Sequence, residues 1–243
     1  MATRPHELKE KVYFSSRGRG IDPLIRDAHP FPNNLTTSVN PGAGLLHLTN
    51  LAVSDVYDMA WNEGIRESDV VIYLGGGICD ITEKIRNPFE RAEEVIFSED
   101  PGDCVQRMSS ILIHSVDTIR GIGCTPVIAT IPPMHLEAWN WHRYSNNRTL
   151  MLLHHANYAE MQGNLETAIK DINNIITKLN YDIGCIPVYL AGTVMVNTPG
   201  KKPRIHYGRL ADGVHPSPSL LDQWGHQLKK SMSKNRAIKT VDN

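Results

Sequence analysis

Little in this sequence of 243 residues points to a staple, a membrane or a polyanionic partner. Cysteine is scarce: Cys79, Cys104, Cys124 and Cys185 lie far apart and form no CxxC pair. That spacing excludes a zinc or dithiol motif and any disulfide framework. No apolar run approaches the ~20 residues a spanning helix needs. The opening MATRPHELKEK has no apolar stretch of the kind a signal peptide carries. An intracellular, cytoplasmic protein with reduced thiols is the expectation. An excess of one charge is missing too, since 25 Lys and Arg against 26 Asp and Glu leave −1. With no global basic field, nucleic acid is expected to bind weakly and salt-sensitively at most. The basic residues Lys229, Lys230, Lys234, Arg236 and Lys239 gather near the end, where they read as a solvated tail or as a local phosphate contact. There is no internal repeat and no low-complexity linker.

What is present is ordinary globular material, 41% hydrophobic and 21% charged, in a chain long enough for one large domain. The expected division is an N-terminal extension over 1–10, a single domain over 11–234 and a tail over 235–243. Strand-like runs at Lys11 to Ser16, Leu35 to Val39, Asp69 to Leu74, Thr125 to Ile131 and Ile186 to Leu190 are separated by stretches with helical spacing. The helical stretches are Leu45 to Glu63, Asp103 to Arg120, Leu150 to Leu179 with Gly163 as a break, and Pro218 to Ser233. DVVIYL and TPVIATI are uninterrupted apolar runs, which suits parallel strands covered on both faces. The alternation predicts a three-layer α/β/α fold around a mostly parallel, five-stranded sheet. Right-handed crossovers then gather the carboxyl ends of the strands on one edge, where sites form.

Candidate chemistry sits at those ends. Phe14-Ser15-Ser16-Arg17-Gly18 follows the first strand, and a serine at a strand-to-helix turn exposes its hydroxyl. An ordinary Ser/Gly turn presents the same residues. Gly75-Gly76-Gly77-Ile78-Cys79-Asp80 follows DVVIYL. It has neither GxGxxG nor a following Lys-Ser/Thr, so nucleotide binding is disfavoured and no cofactor is expected. Asp212-Gly213-Val214-His215 precedes the last helix. An Asp three residues before a His can hold the imidazole Nδ1–H and leave the other ring nitrogen free to accept a serine proton.

In this order and spacing the segments resemble the blocks of the SGNH (GDSL-like) hydrolases: GDS, a mid-chain Gly, G-x-N-D and D-x-x-H. The resemblance spans residues 14 to 215, nearly the whole chain. In texture it is similar to esterase-like domains of animal retrotransposons and to the SGNH-like RNA-binding domain of Oskar. It implies a flavodoxin-like fold and a serine hydrolase of ester bonds, with Ser16 as nucleophile, His215 as base and Asp212 orienting it. By the same resemblance, Ser16, Gly42 and Cys79 occupy the oxyanion-hole positions, with Gly44 the weaker alternative to Gly42. The implied partner is a small or lipid-like ester. Two residues depart from the pattern. Ser15 stands for the Asp of GDS, and Cys79 for the Asn that donates a side-chain hydrogen bond to the oxyanion. A thiol is a weak donor, and loss of one such donor costs on the order of 10²–10³ in turnover. A binding module for RNA or protein, built on a weakened hydrolase, is therefore the alternative.

Two further groups stand out. His135, His142, His154 and His155 surround Trp139 and Trp141 without the spacing of a metal site, which reads as a loop flanking the pocket. Its aromatic rings either pack on the core or line a substrate groove. Arg204, His206, Tyr207 and Arg209 precede the D-x-x-H loop and suit an anionic ligand or solvated surface equally.

Overall fold

The computed structural model describes residues 8–27, 29–87, 92–146, 158–200 and 202–241. The strands are β1 (Lys9–Ser15), β2 (Leu35–Asn40), β3 (Val70–Gly75), β4 (Glu83–Asn87), β5 (Ala92–Ile96), β6 (Thr125–Ile128), β7 (Met195–Val196) and β8 (Arg204–Ile205). The helices are α1 (Ile21–Arg26), α2 (Leu45–Glu63), α3 (Ile78–Ile81), α4 (Pro101–Gly121), α5 (Leu136–Asn146), α6 (Tyr158–Asp182) and α7 (Pro218–Val241). The central sheet runs β2-β1-β3-β6, with every pairing parallel. Because side chains alternate along a strand, β3 sends Val71 and Tyr73 to one face and Ile72 and Leu74 to the other. On the first face they meet Ile21 and Ile25 of α1 and Leu220, Trp224 and Leu228 of α7. On the second they meet Leu48 of α2, Met108 and Leu112 of α4 and Ile172 of α6. The three-layer α/β/α architecture thus follows from strands that are apolar on both faces.

The sheet has four strands rather than the expected five. At Ile186 to Leu190 pairing shrinks to a single parallel bridge, Ala129 with Val188. Pro187 has no N–H to offer a ladder. Both backbone groups of Ile186 are taken by Asn235, whose Oδ1 accepts its N–H at 2.7 Å while Nδ2 donates to its carbonyl at 3.0 Å.

Asn235 sits on α7, which continues to Val241, so 235–241 extend the last helix and are no separate tail. Asn235 is buried, and the next residue, Arg236, donates through Nη1 to Glu10 Oε2. Glu10 is fully buried within β1, and it also accepts from the Tyr73 hydroxyl at 3.1 Å and lies 2.6 Å from His29 Nε2. The first strand therefore begins at Lys9, inside the stretch read as an extension.

Other corrections have local causes. Gly163 does not break α6. One helical glycine costs about 1 kcal/mol, which the buried face of Leu165, Ile169, Ile172 and Ile176 outweighs. Residues 150–157 of that predicted helix, with His154 and His155, lie outside the described residues. The segment around Trp139 is the helix α5, not a loop. The antiparallel β4–β5 hairpin escaped notice because its strands are rich in charge, with Lys84 and Arg86 paired to Glu93 at 2.6 and 2.8 Å. Asn140 of α5 grips β5 through both backbone groups of Val95, at 2.9 and 2.8 Å, and so fixes α5 to the β4–β5 hairpin.

Candidate active site

Ser16 opens a 3-10 turn, Ser16–Gly18, at the carboxyl end of β1. The central position of β1 puts the loop after β2 on one side and the loop after β3 on the other, with Ser15 level with Asn40 and Phe14 level with Gly75. The first carries Gly42, and the second leads into α3, which carries Cys79. Gly42 has φ 77°, a left-handed conformation that suits glycine. The loops are tied together by Asp80, whose Oδ2 accepts the Leu45 N–H at 2.8 Å and so satisfies one free donor at the start of α2. Gly44 lies at that junction, where an added Cβ would fall 2.1 Å from Asp80 Oδ1. The final Asp of the glycine-loop block is thus a bracket between loops.

Asp212 and His215 reach the same edge on a tight turn closed by the Leu210–Pro216 bridge and by the Ala211 N–H donating to the His215 carbonyl at 2.8 Å. Gly213, at φ 90°, lets the turn lie against α5: an added Cβ would stand 2.7 Å from Trp139 N and 2.8 Å from His135 O. Asp212 Oδ1 accepts the backbone N–H groups of Val214 and His215, at 2.9 and 2.7 Å. Its Oδ2 lies 2.6 Å from His215 Nδ1. His215 Nε2 lies 3.1 Å from Ser16 Oγ, across 199 residues of sequence.

Burial pushes the Asp212 carboxyl upward, but the His215 ring and the two backbone donors outweigh it and hold the group down at about 2. An ionised carboxylate only accepts. Nδ1 of His215 therefore carries a proton, and in the neutral ring Nε2 is the acceptor facing the Ser16 hydroxyl. The arrangement is chemically able to draw a proton from Ser16 while keeping the resulting imidazolium beside a fixed negative charge.

Several further residues, which no sequence motif marks individually, stand at this edge. The Trp139 and His215 rings meet in a T-shaped contact at 5.4 Å between centroids, and His142 stacks on Trp139 with Nε2 4.0 Å from Asp212 Oδ2. Trp139 packs partly on the core, while Trp141 is exposed. Arg17 is buried directly beside Ser16. Helical spacing from Leu136 was the available signal for the first two, but the short stretch is crowded with polar residues. Nothing in the sequence marks Arg17. Of the group before the D-x-x-H loop, Arg204 and His206 are exposed, whereas Tyr207 braces Glu166 and Gln162 of α6 and Arg209 donates to the Thr193 carbonyl. Among the described residues no cluster of His, Cys, Asp or Glu is placed to share a metal ion, and no helix is long and apolar enough to cross a membrane.

No family model matches the chain, and no curated protein matches it. Solved structures do. A protein of Bacteroides fragilis NCTC 9343 designated an acylhydrolase is 12% identical over 93% of this chain and 87% of its own, with a TM-score of 0.58. A GDSL-like lipase of Bacteroides thetaiotaomicron VPI-5482 is 12% identical over 96% and 92%, with a TM-score of 0.55. A protein of Desulfitobacterium hafniense DCB-2, assigned to the lipolytic G-D-S-L family, is 10% identical over 92% and 99%, with a TM-score of 0.51. At such identities the likeness is one of fold, and the chain has the fold of the GDSL-like hydrolases.

Proposed function

We propose that the protein is a serine esterase acting on small or lipid-like acyl esters. The observation that carries this reading is the hydrogen-bonded line from Ser16 Oγ through His215 to Asp212, at 3.1 and 2.6 Å, on the edge where the strand ends converge. His215 Nε2 takes the Ser16 proton as Oγ attacks the ester carbonyl, and Asp212 steadies the imidazolium. Collapse of the tetrahedral intermediate returns that proton to the departing alcohol and leaves an acyl-enzyme. A water, deprotonated by His215, then releases the acid. Backbone N–H groups of Ser16 and Gly42 serve the oxyanion, with Cys79 in the place of a third donor. The acylhydrolase and lipase designations of the similar folds agree with this reading.

Cys79 supplies the test. Cys79→Asn is expected to raise kcat on an activated acetyl ester, by up to ~10²-fold, because that is the scale of one oxyanion donor. KM is expected to change less, since the donor acts where charge develops. Initial rates of the wild type and the variant, set against buffer hydrolysis, decide the matter. If both equal the buffer rate, the chain is no esterase of simple acyl substrates, and a binding module that has lost a donor at Cys79 is the better reading.

A further inference from the structure

Arg17 follows the proposed nucleophile and is buried to 4% exposure. Its Nη1 donates to the Pro132 carbonyl at 2.6 Å, in the irregular segment that follows β6. Among the described residues its Nε and Nη2 have no hydrogen-bond partner, and neither has the buried Ser15 hydroxyl. Ser15 and Arg17 line one small cavity, closed by Gly76, Ile78 and Thr130. That cavity is lined by Ser15, the chain neighbour of Ser16, and by Ile78, the chain neighbour of Cys79, and the guanidinium interacts electrostatically with both Cys79 and Asp212. A buried cation held by one hydrogen bond is costly, and no anion among the described residues touches it. Burial draws its pKa down to about 10, so it stays charged at neutral pH.

We propose that Arg17 is a positioning residue: a fixed, water-stripped cation near the oxyanion site, supplying by its field part of what Cys79 fails to supply by hydrogen bonding. This rests on the esterase reading. As the Ser16 Oγ–carbon bond forms and the hydroxyl proton moves to His215 Nε2, negative charge gathers on the former carbonyl oxygen, and Arg17 neither gains nor loses a proton. In a site of low dielectric, a preorganised charge acts strongly without touching the reacting atom. The same field reaches Cys79: partial desolvation by its surroundings and Asp80 push that solvent-reachable thiol up, and Arg17 pulls it back.

Cys79 offers a readout independent of hydrolysis, because it is exposed while Cys104, Cys124 and Cys185 are buried. Arg17→Gln keeps a donor for Pro132 but loses the charge, Arg17→Met loses both, and Arg17→Lys keeps the charge. In the two neutral variants kcat on an activated acetyl ester is expected to fall about tenfold or more with KM nearly unchanged. The pH midpoint of Cys79 alkylation by iodoacetamide is expected to rise. Arg17→Lys is expected to retain most of the turnover and a midpoint near that of the wild type. A folded neutral variant whose kcat or alkylation midpoint equals the wild type overturns the proposal, as does a loss confined to KM. If neither neutral variant folds, Arg17→Lys decides: turnover and midpoint kept support the charge, and turnover or midpoint lost in a folded protein overturns it. Should the wild type hydrolyse nothing, the esterase reading fails separately. The alkylation midpoints then still report whether the charge reaches this position, and equal midpoints overturn that too.

Discussion

Ser16→Ala is expected to lower kcat on an activated acetyl ester by about 10⁴-fold, or to the buffer rate if that is reached first. The variant has no oxygen to form an acyl-enzyme, and the small cavity left by one hydroxyl changes little else. Asp212→Asn is expected to cost a similar amount for a different reason. The N–H groups of Val214 and His215 both need an acceptor on residue 212, at 2.9 and 2.7 Å. The amide oxygen of an Asn turns to them, and its NH2 faces His215 Nδ1. That nitrogen must then accept, the ring proton moves to Nε2, and a protonated Nε2 cannot take a proton from Ser16. The tautomer effect alone is worth about 10⁴ in kcat where it has been isolated. Steady-state rates of both variants, with circular dichroism to verify folding, check this. Turnover within tenfold of the wild type in either would remove the line of hydrogen bonds from the mechanism.

The second large effect concerns stability, far from the site. Arg236→Ala is expected to destabilise the fold by about 3–5 kcal/mol, because removing one partner of a buried pair leaves the other charge uncompensated. Glu10 is fully buried, and in the variant it keeps only Tyr73 and His29 as neighbours among the contacts described above. For a domain of this size such a loss lowers the melting midpoint by roughly 10 °C. Ending the chain after Lys234 removes both Arg236 and Asn235, and is expected to do at least as much harm. Lys234→Ala, at an exposed position on the same helix, is the control and should stay within about 0.5 kcal/mol. Thermal and denaturant unfolding of the four proteins gives the comparison. A truncated chain as stable as the full one would mean that the end of α7 is the solvated tail its composition suggests.

The fold was legible wherever apolar periodicity was strong. Val70–Gly75 and Thr125–Ile128 are buried on both faces, and so continuous a short apolar run suits a parallel strand between helix layers. It failed where long-range polar contacts override local pattern. Ile186 to Leu190 has the composition of a strand, yet Pro187 and the Asn235 side chain leave it a single bridge. The end of α7 has the composition of a tail, yet Arg236 and Asn235 dock it onto β1 and the sheet edge. The β4–β5 hairpin has charges where a buried strand would be apolar, because Lys84 and Arg86 meet Glu93 at the surface while Asn140 ties the hairpin to α5. At the candidate site, the sequence segments of Ser16, Asp212 and His215 resemble known blocks, and the structure brings the three side chains within hydrogen-bond distance. Arg17 was not legible, because one buried arginine beside a turn looks in sequence like any surface arginine. Trp139 was visible only as an aromatic residue, since its approach to His215 depends on Gly213 letting two segments touch.

The central claim is that His215 and Asp212 make the Ser16 hydroxyl nucleophilic. A fluorophosphonate reacts covalently with such a hydroxyl, and its adduct can be located by peptide mass spectrometry. One adduct is expected on Ser16 of the native protein at neutral pH, lost in Ser16→Ala and strongly slowed in Asp212→Asn. Absence of an adduct on the folded wild type, or an adduct that persists at another residue in Ser16→Ala, would contradict it.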